Sequence, residues 1–242
     1  MSGQRVTLRQ QRDLGQIIEG AFSLYVQNVG PLFRIAAVVI PLGIASAAVQ
    51  TGIDGAGTLL GVALGLTLMQ VAVSLLAWTA LIAALAEIDA GRAPDFSRAY
   101  DVAFARFWTL VGASLRAGFH VLLFYITIIG IPWAIQRGVR WLFIHQAVIL
   151  DGTSARASLS YSADAVSGRW WRTFGIVIVI GIIGAVPASI ITGIFALAPP
   201  LISGTLGALV NAVLLPFYAI AMTLLYLDLQ TRKESDIAIS PA

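Results

Sequence analysis

Arg116 and His120 stand four residues apart, as do Arg137 and Trp141, with Arg140 between them and His145 beyond. On an α-helix, residues at i and i+4 share a face, so each pair presents its groups together. A guanidinium group offers a planar fork of N–H donors that fits phosphate or carboxylate. A tryptophan face can hold an arginine by cation–π attraction. The chemistry open to Arg116, His120, Arg137, Arg140 and Trp141 is therefore anion binding. Their setting is unusual, because all five lie in long apolar runs. An arginine at the centre of a bilayer costs ~3 kcal/mol on insertion scales, and such residues tend to have a partner or a function. No Asp or Glu lies deep in these runs, since Glu87, Asp151 and Asp228 fall at their ends. The acceptors left for the arginines are backbone carbonyls, Gln70 or Asn211, water, or an anionic ligand such as a lipid phosphate. Two readings stay open: arginines satisfied by carbonyls and snorkelling, or a cationic interior that accepts a headgroup or a small anion.

Other chemistry finds little support. The chain has no HExxH, no GxSxG and no phosphate-cradling glycine loop. Gly112-Ala113-Ser114 resembles an intramembrane serine-protease stretch over three residues only. Two histidines, no cysteine and no deep carboxylate leave no metal site, disulfide or reactive thiol. The expectation is a protein without catalytic residues, metal or cofactor.

The elements that must position the arginines follow from composition. Of 242 residues, 58% are apolar and 11% charged, and the mean hydropathy is +0.87. Soluble domains carry ~25% charged residues, so this chain cannot cover a water-facing surface. A β-barrel would show ~10-residue alternating segments, and the runs here are longer and do not alternate. The expected fold is an all-α, polytopic membrane bundle with six transmembrane helices, at about residues 32–49, 59–86, 107–131, 133–150, 171–197 and 201–229. The polar N-terminus and the late first run argue against a secretory signal.

The fourth span holds Arg137, Arg140 and His145, and the distribution of basic residues tests whether it crosses. If it crosses, Arg5, Arg9, Arg12, Arg34, Arg92, Arg98, Arg106, Arg156, Arg169, Arg172, Arg232 and Lys233 all fall on one side, with no Lys or Arg opposite. Basic residues near helix ends mark the cytoplasmic face. The expected location is thus the bacterial cytoplasmic (inner) membrane, with both termini in the cytoplasm. The excess charge of +3 follows topology and favours anionic lipid, so nucleic acid is not an expected partner. On the third span Thr109, Gly112, Arg116, His120 and Thr127 share a side, and on the fourth Trp133, Arg137, Arg140 and Trp141 do. These faces are expected to meet inside the bundle.

An approximate repeat runs through the chain. Apolar stripes at helical spacing precede three spans: Leu14, Ile17, Ile18, Ala21, Phe22, Tyr25 and Val29; Phe96, Tyr100, Phe104 and Phe107; Leu159, Ala163, Val166 and Trp170. They read as about three cytoplasmic interfacial helices. With a transmembrane hairpin each, they form units at 13–89, 94–151 and 154–233 of one membrane domain. Asp13 with Gln16 has the spacing of a capping pair. Gly57, Gly61 and Gly65 have the spacing for close helix packing, within the bundle or on a dimer face. Pro187 and Pro216 are expected to kink the fifth and sixth spans.

The strings RDLGQIIEGAFSLYVQNVGPLF, SGRWWRTFG and LLYLDLQTRKE resemble the bacterial six-span membrane proteins grouped with YciC and with the membrane domain of glycerophosphoryl diester phosphodiesterases. The resemblance covers nearly the whole chain and includes Pro132, Arg140, Trp141 and Asp151, then Ser162, Gly168, Trp171 and Phe174. Where that family usually has Gly after the proline, this chain has Trp133. The resemblance implies a membrane domain without the catalytic barrel, which needs about 250 residues. Taken together, the sequence predicts a non-catalytic module that binds membrane lipid, with anionic phospholipid favoured, or a membrane protein partner. The alternative is a small transporter or channel for an anionic solute that uses the same arginines and the two proline kinks.

Overall fold

The computed structural model describes residues 8–52, 56–126 and 130–239, and all regular structure among them is helical. In chain order the helices are α1 (Leu14–Gln27), α2 (Val29–Ala36), α3 (Ile40–Gly52), α4 (Ala56–Asp89), α5 (Phe96–Tyr125), α6 (Ile131–Arg140), α7 (Ile144–Leu150), α8 (Ala157–Val166), α9 (Trp170–Ile194) and α10 (Pro200–Ile239). Among the described residues, five stretches are long and apolar enough to cross a membrane: Val29–Val49, Leu60–Asp89, Phe96–Tyr125, Trp170–Ile194 and Pro200–Ala238. Their outward faces are apolar, with Leu60, Leu68, Ile182 and Ile194 all more than half exposed. Water does not tolerate so much continuous hydrocarbon, whereas a bilayer does. The protein is a multi-pass membrane protein.

Local sequence sets the breaks. Asp13 and Gln16 do form the expected reciprocal cap at the start of α1. A tight 3-10 turn at Ala37–Val39 separates α2 from α3, and Pro41 has no N–H to give. The hydroxyl of Tyr100 donates to the Ile35 carbonyl there at 2.8 Å. Pro187 and Pro216 sit inside single assigned helices. Gly91, Gly152 and Gly168 turn the chain with positive φ, where a side chain is strained.

One end of the molecule is held by charge. Asp228 is fully buried. Its Oδ1 accepts from the Arg12 backbone N–H at 2.7 Å and from Arg232 Nε at 2.8 Å, and its Oδ2 accepts from Arg172 Nη1 at 2.6 Å. Arg172 and Arg232 also donate to the Arg12 carbonyl, at 2.6 and 3.0 Å. Arg12 is itself buried, and burial lowers its pKa, against the attraction of Asp228 and Asp89. At the same end Leu8 N–H donates to Asp89 at 3.2 Å, Arg98 pairs with Glu87 at 2.8 Å, and Arg169 pairs with Asp236 at 2.6 Å. The N-terminal arm, the α4–α5 turn, the start of α9 and the end of α10 thus form one basic end. At the other end α3 meets α10, and no Lys or Arg lies in 43–60 or 190–212.

The small-residue seam lies at α3–α10. A Cβ placed on Gly43 would come within 2.6 Å of Ala208 Cβ, and one on Gly204 would run into Ala47 Cβ. Spacing of four puts Gly43 and Ala47 on one face and Gly204 and Ala208 on the other, so the backbones approach closely. Gly61 and Gly65, expected to pack helices, face open space within the chain. Gly57 and Thr127 lie outside the residues whose surroundings are described.

The expected fourth span takes a different form. Residues 131–150 make two short helices, α6 and α7, broken at 141–143. Trp170, the first residue of α9, donates its indole N–H to the Gln136 carbonyl at 3.3 Å. Asp151, just after α7, accepts from the Tyr226 hydroxyl, two residues from Asp228. Gln136 in α6 and Asp151 after α7 thus both contact the α9–α10 pair, while Trp141 and His145 between them lie along α5, beside His120 and Ser114. The break is held by Ser162: Phe143 N–H donates to its Oγ at 3.1 Å, and its hydroxyl donates to the Arg140 carbonyl at 2.7 Å. The second expected unit differs too, because its amphipathic stretch and its span are one continuous helix, α5.

Two outcomes follow. Gly204→Leu should lower stability in detergent melts by about 1–3 kcal/mol, while Gly61→Leu and Gly65→Leu change it little. In a chain with no native cysteine, Gln136→Cys and Arg92→Cys should react with an impermeant thiol reagent from the same side of the membrane. Labelling from opposite sides would contradict the placement of α6.

Candidate functional site

The sequence-predicted residues come together, on the outside of the bundle. The Arg116 carbonyl lies 2.7 Å from His120 Nδ1. The His120 ring meets the Trp141 ring edge-on, with centroids 5.7 Å apart. The Arg137 guanidinium sits 5.6 Å from the centre of the same indole. Arg140 precedes Trp141 and contributes its carbonyl to Ser162. Arg116, His120 and Arg137 are exposed, and Arg140 and Trp141 are half-buried. The two expected faces do meet, at α5–α6, but the cationic interior is corrected to a cationic outer surface. The physical reason is the short α6, which packs on α5, α8 and α9 and turns Arg137 to an exposed face.

No carboxylate among the described residues pairs with Arg116, Arg137 or Arg140, whereas Arg98, Arg169, Arg172 and Arg232 each hold one. The two groups of arginine thus have different surroundings. One is spent on holding the fold, and the other has no carboxylate partner among the described residues, with Arg137 set against the Trp141 ring. An exposed guanidinium keeps its full fork of donors for a phosphate.

α5 extends this surface. Ala99, Ala103, Leu110, Ala113 and Ala117 form its buried face. Phe104, Trp108, Leu115, Phe119 and Leu122 form an exposed apolar stripe, and Arg106, Arg116 and His120 lie exposed beside it. A helix with an apolar stripe flanked by basic residues suits the boundary between acyl chains and anionic headgroups. α7 is the opposite case. Ile144, Gln146, Ala147 and Val148 are all buried, and His145 Nε2 lies 3.2 Å from Ser114 Oγ, tying α7 to α5.

Beside the cluster, α6 and the first turns of α9 enclose a groove of about 530 Å³ lined by Pro132, Trp133, Ile135, Gln136, Trp170, Trp171 and Phe174. Trp170 stacks on Phe174 with centroids 5.0 Å apart. Among the described residues, no three metal-ligating side chains lie together. No protein-family model, curated protein or solved structure matches the chain.

Sequence reading missed the Asp228 clasp. Its signal was a single carboxylate in the apolar run LLYLDLQ, four residues before Arg232.

The division between the two sets of arginines is testable by stability. Asp228→Asn should cost about 3 kcal/mol, because it uncouples a buried ion network. Arg116→Gln, Arg137→Gln and Arg140→Gln should each stay within about 0.5 kcal/mol of the parent in detergent thermal melts.

Proposed function

We propose that the protein is a non-catalytic module of the bacterial cytoplasmic membrane that binds anionic phospholipid. Arg116, His120, Arg137 and Arg140, with Trp141 as their platform, receive the headgroup phosphate. The observation that carries this reading is the Arg137 guanidinium and the His120 ring meeting one indole at the α5–α6 surface, with Arg116 and Arg140 next to them in the chain and none of the three arginines paired with a carboxylate among the described residues. An anionic headgroup neutralises such a cluster at the depth where a short basic helix meets lipid. The resemblance to the membrane domain of phosphodiesterase-linked proteins accords with a role in lipid contact rather than catalysis.

In this reading the basic end faces the cytoplasm, as the bias of Lys and Arg favours. α1 and α8 lie in the cytoplasmic interface. α1 buries Ile17, Ala21 and Leu24 against the protein and turns Phe22 and Val26 outward. The outward position of the arginines gives less support to a transporter, which would use them to line a passage.

Native mass spectrometry of the protein from mild detergent tests the proposal. The parent should retain one or two anionic phospholipids, and the folded Arg137→Leu plus Arg140→Leu variant should lose them. Equal retention by both, or none by either, removes the basis for a headgroup site. Anionic solute flux in liposomes that depends on Arg140 would replace this reading with a transporter.

A further inference from the structure

The groove between α6 and α9 lies one helical turn from the arginines. Trp133 and Gln136 line it, and Arg137 and Arg140 each follow one of them by four residues, a rise of about 6 Å. Its walls are aromatic, and the Trp170 indole N–H is already spent on the Gln136 carbonyl, so the lining offers little to a polar ligand. Its volume of about 530 Å³ falls within the ~300–1,000 Å³ of small-molecule sites. The groove also continues outward. Trp171 is 78% exposed, and Gly175, one turn on, faces open space. Ile178 and Ile182 then extend the same exposed face along α9. This is an apolar track that begins beside unpaired cations at the basic end and runs down a membrane-spanning helix.

We infer that the groove seats the glycerol and upper acyl-chain region of an anionic phospholipid whose phosphate is held by Arg137 and Arg140. The inference rests on the headgroup reading above and adds the chain-binding half of the site. Trp133, Trp171 and Phe174 flank the upper chain. Gly175 leaves room for it to pass onto Ile178 and Ile182. Unpaired positive charge at the mouth selects an anionic lipid over a zwitterionic one, because the aromatic walls accept either chain alike.

Tryptophan fluorescence tests this directly, using the whole protein in vesicles that contain lipid brominated on the upper acyl chain. Brominated phosphatidylglycerol should reach half-maximal quenching at about fivefold lower mole fraction than brominated phosphatidylcholine. The preference should disappear in Arg137→Gln plus Arg140→Gln. Trp133→Phe plus Trp171→Phe, a conservative change at exposed positions, should remove most of the preferentially quenched signal. Equal quenching by the two lipids overturns the inference and marks the groove as ordinary lipid contact. Equal quenching with anionic adducts still lost on Arg137→Leu plus Arg140→Leu leaves the headgroup reading standing and removes only the groove. Equal quenching without adducts removes both. A lipid preference undiminished in Trp133→Phe plus Trp171→Phe also overturns it, because the signal then arises elsewhere.

Discussion

A fully buried carboxylate is the constraint on which the basic end depends. Asp228 has no contact with solvent, and an uncompensated buried charge costs several kcal/mol. It must be met by donors from three parts of the chain: the Arg12 backbone, Arg172 on α9 and Arg232 on its own helix. That requirement brings the N-terminal arm to the end of α10 and fixes how α9 starts beside it. The arm then reaches α4 through Leu8 and Asp89. The expected clustering of basic residues at one end therefore has two causes. Membrane sidedness places the charges, and one buried aspartate uses several of them to set the relative position of the helices.

The other end is organised by shape rather than charge. Hydrocarbon outside the bundle is as apolar as the helices, so burial alone gives little drive to bring helices together in a bilayer. Close approach must come from small side chains, and Gly43, Ala47, Gly204 and Ala208 supply it. The spacing was legible in the sequence in several places at once. Gly57, Gly61 and Gly65 advertise it more loudly, yet Gly61 and Gly65 face outward. The helical periodicity says which residues share a face but not which face meets a neighbour.

The same limit explains what was legible elsewhere. Long uncharged runs foretold the long apolar helices, and Asp13 with Gln16 foretold the cap of α1, because both are local properties. The juxtaposition of Arg116 and His120 with Arg137 and Trp141 was also expected, because i and i+4 pairs share a face and a short connection brings consecutive helices side by side. The direction in which that hairpin faces was not, because it depends on the break at 141–143. That break is stabilised by Ser162, a residue about 20 positions away on α8. The Asp228 network was hidden for the same reason: its partners are up to 216 positions away.

The division of 131–150 also bears on the two arginines in its apolar run. Hydropathy cannot distinguish a helix covered by lipid from one covered by protein, and runs of ~10–14 apolar residues are as often core or re-entrant segments as spans. Here the apolar character belongs to two different surroundings. α7 is apolar because protein surrounds it, with Ile144, Ala147 and Val148 buried. α6 is amphipathic, with Ala134 and Val139 buried and Arg137 exposed. Dividing the stretch at Trp141 leaves Arg137 on an exposed face of α6 rather than within the bundle, and puts the Gln136 carbonyl against the first residue of α9. The same division turns Trp141 toward Arg137 and His120 and aligns Trp133 and Gln136 with the start of α9. The break at 141–143 is thus what assembles cations and aromatic groove into one surface.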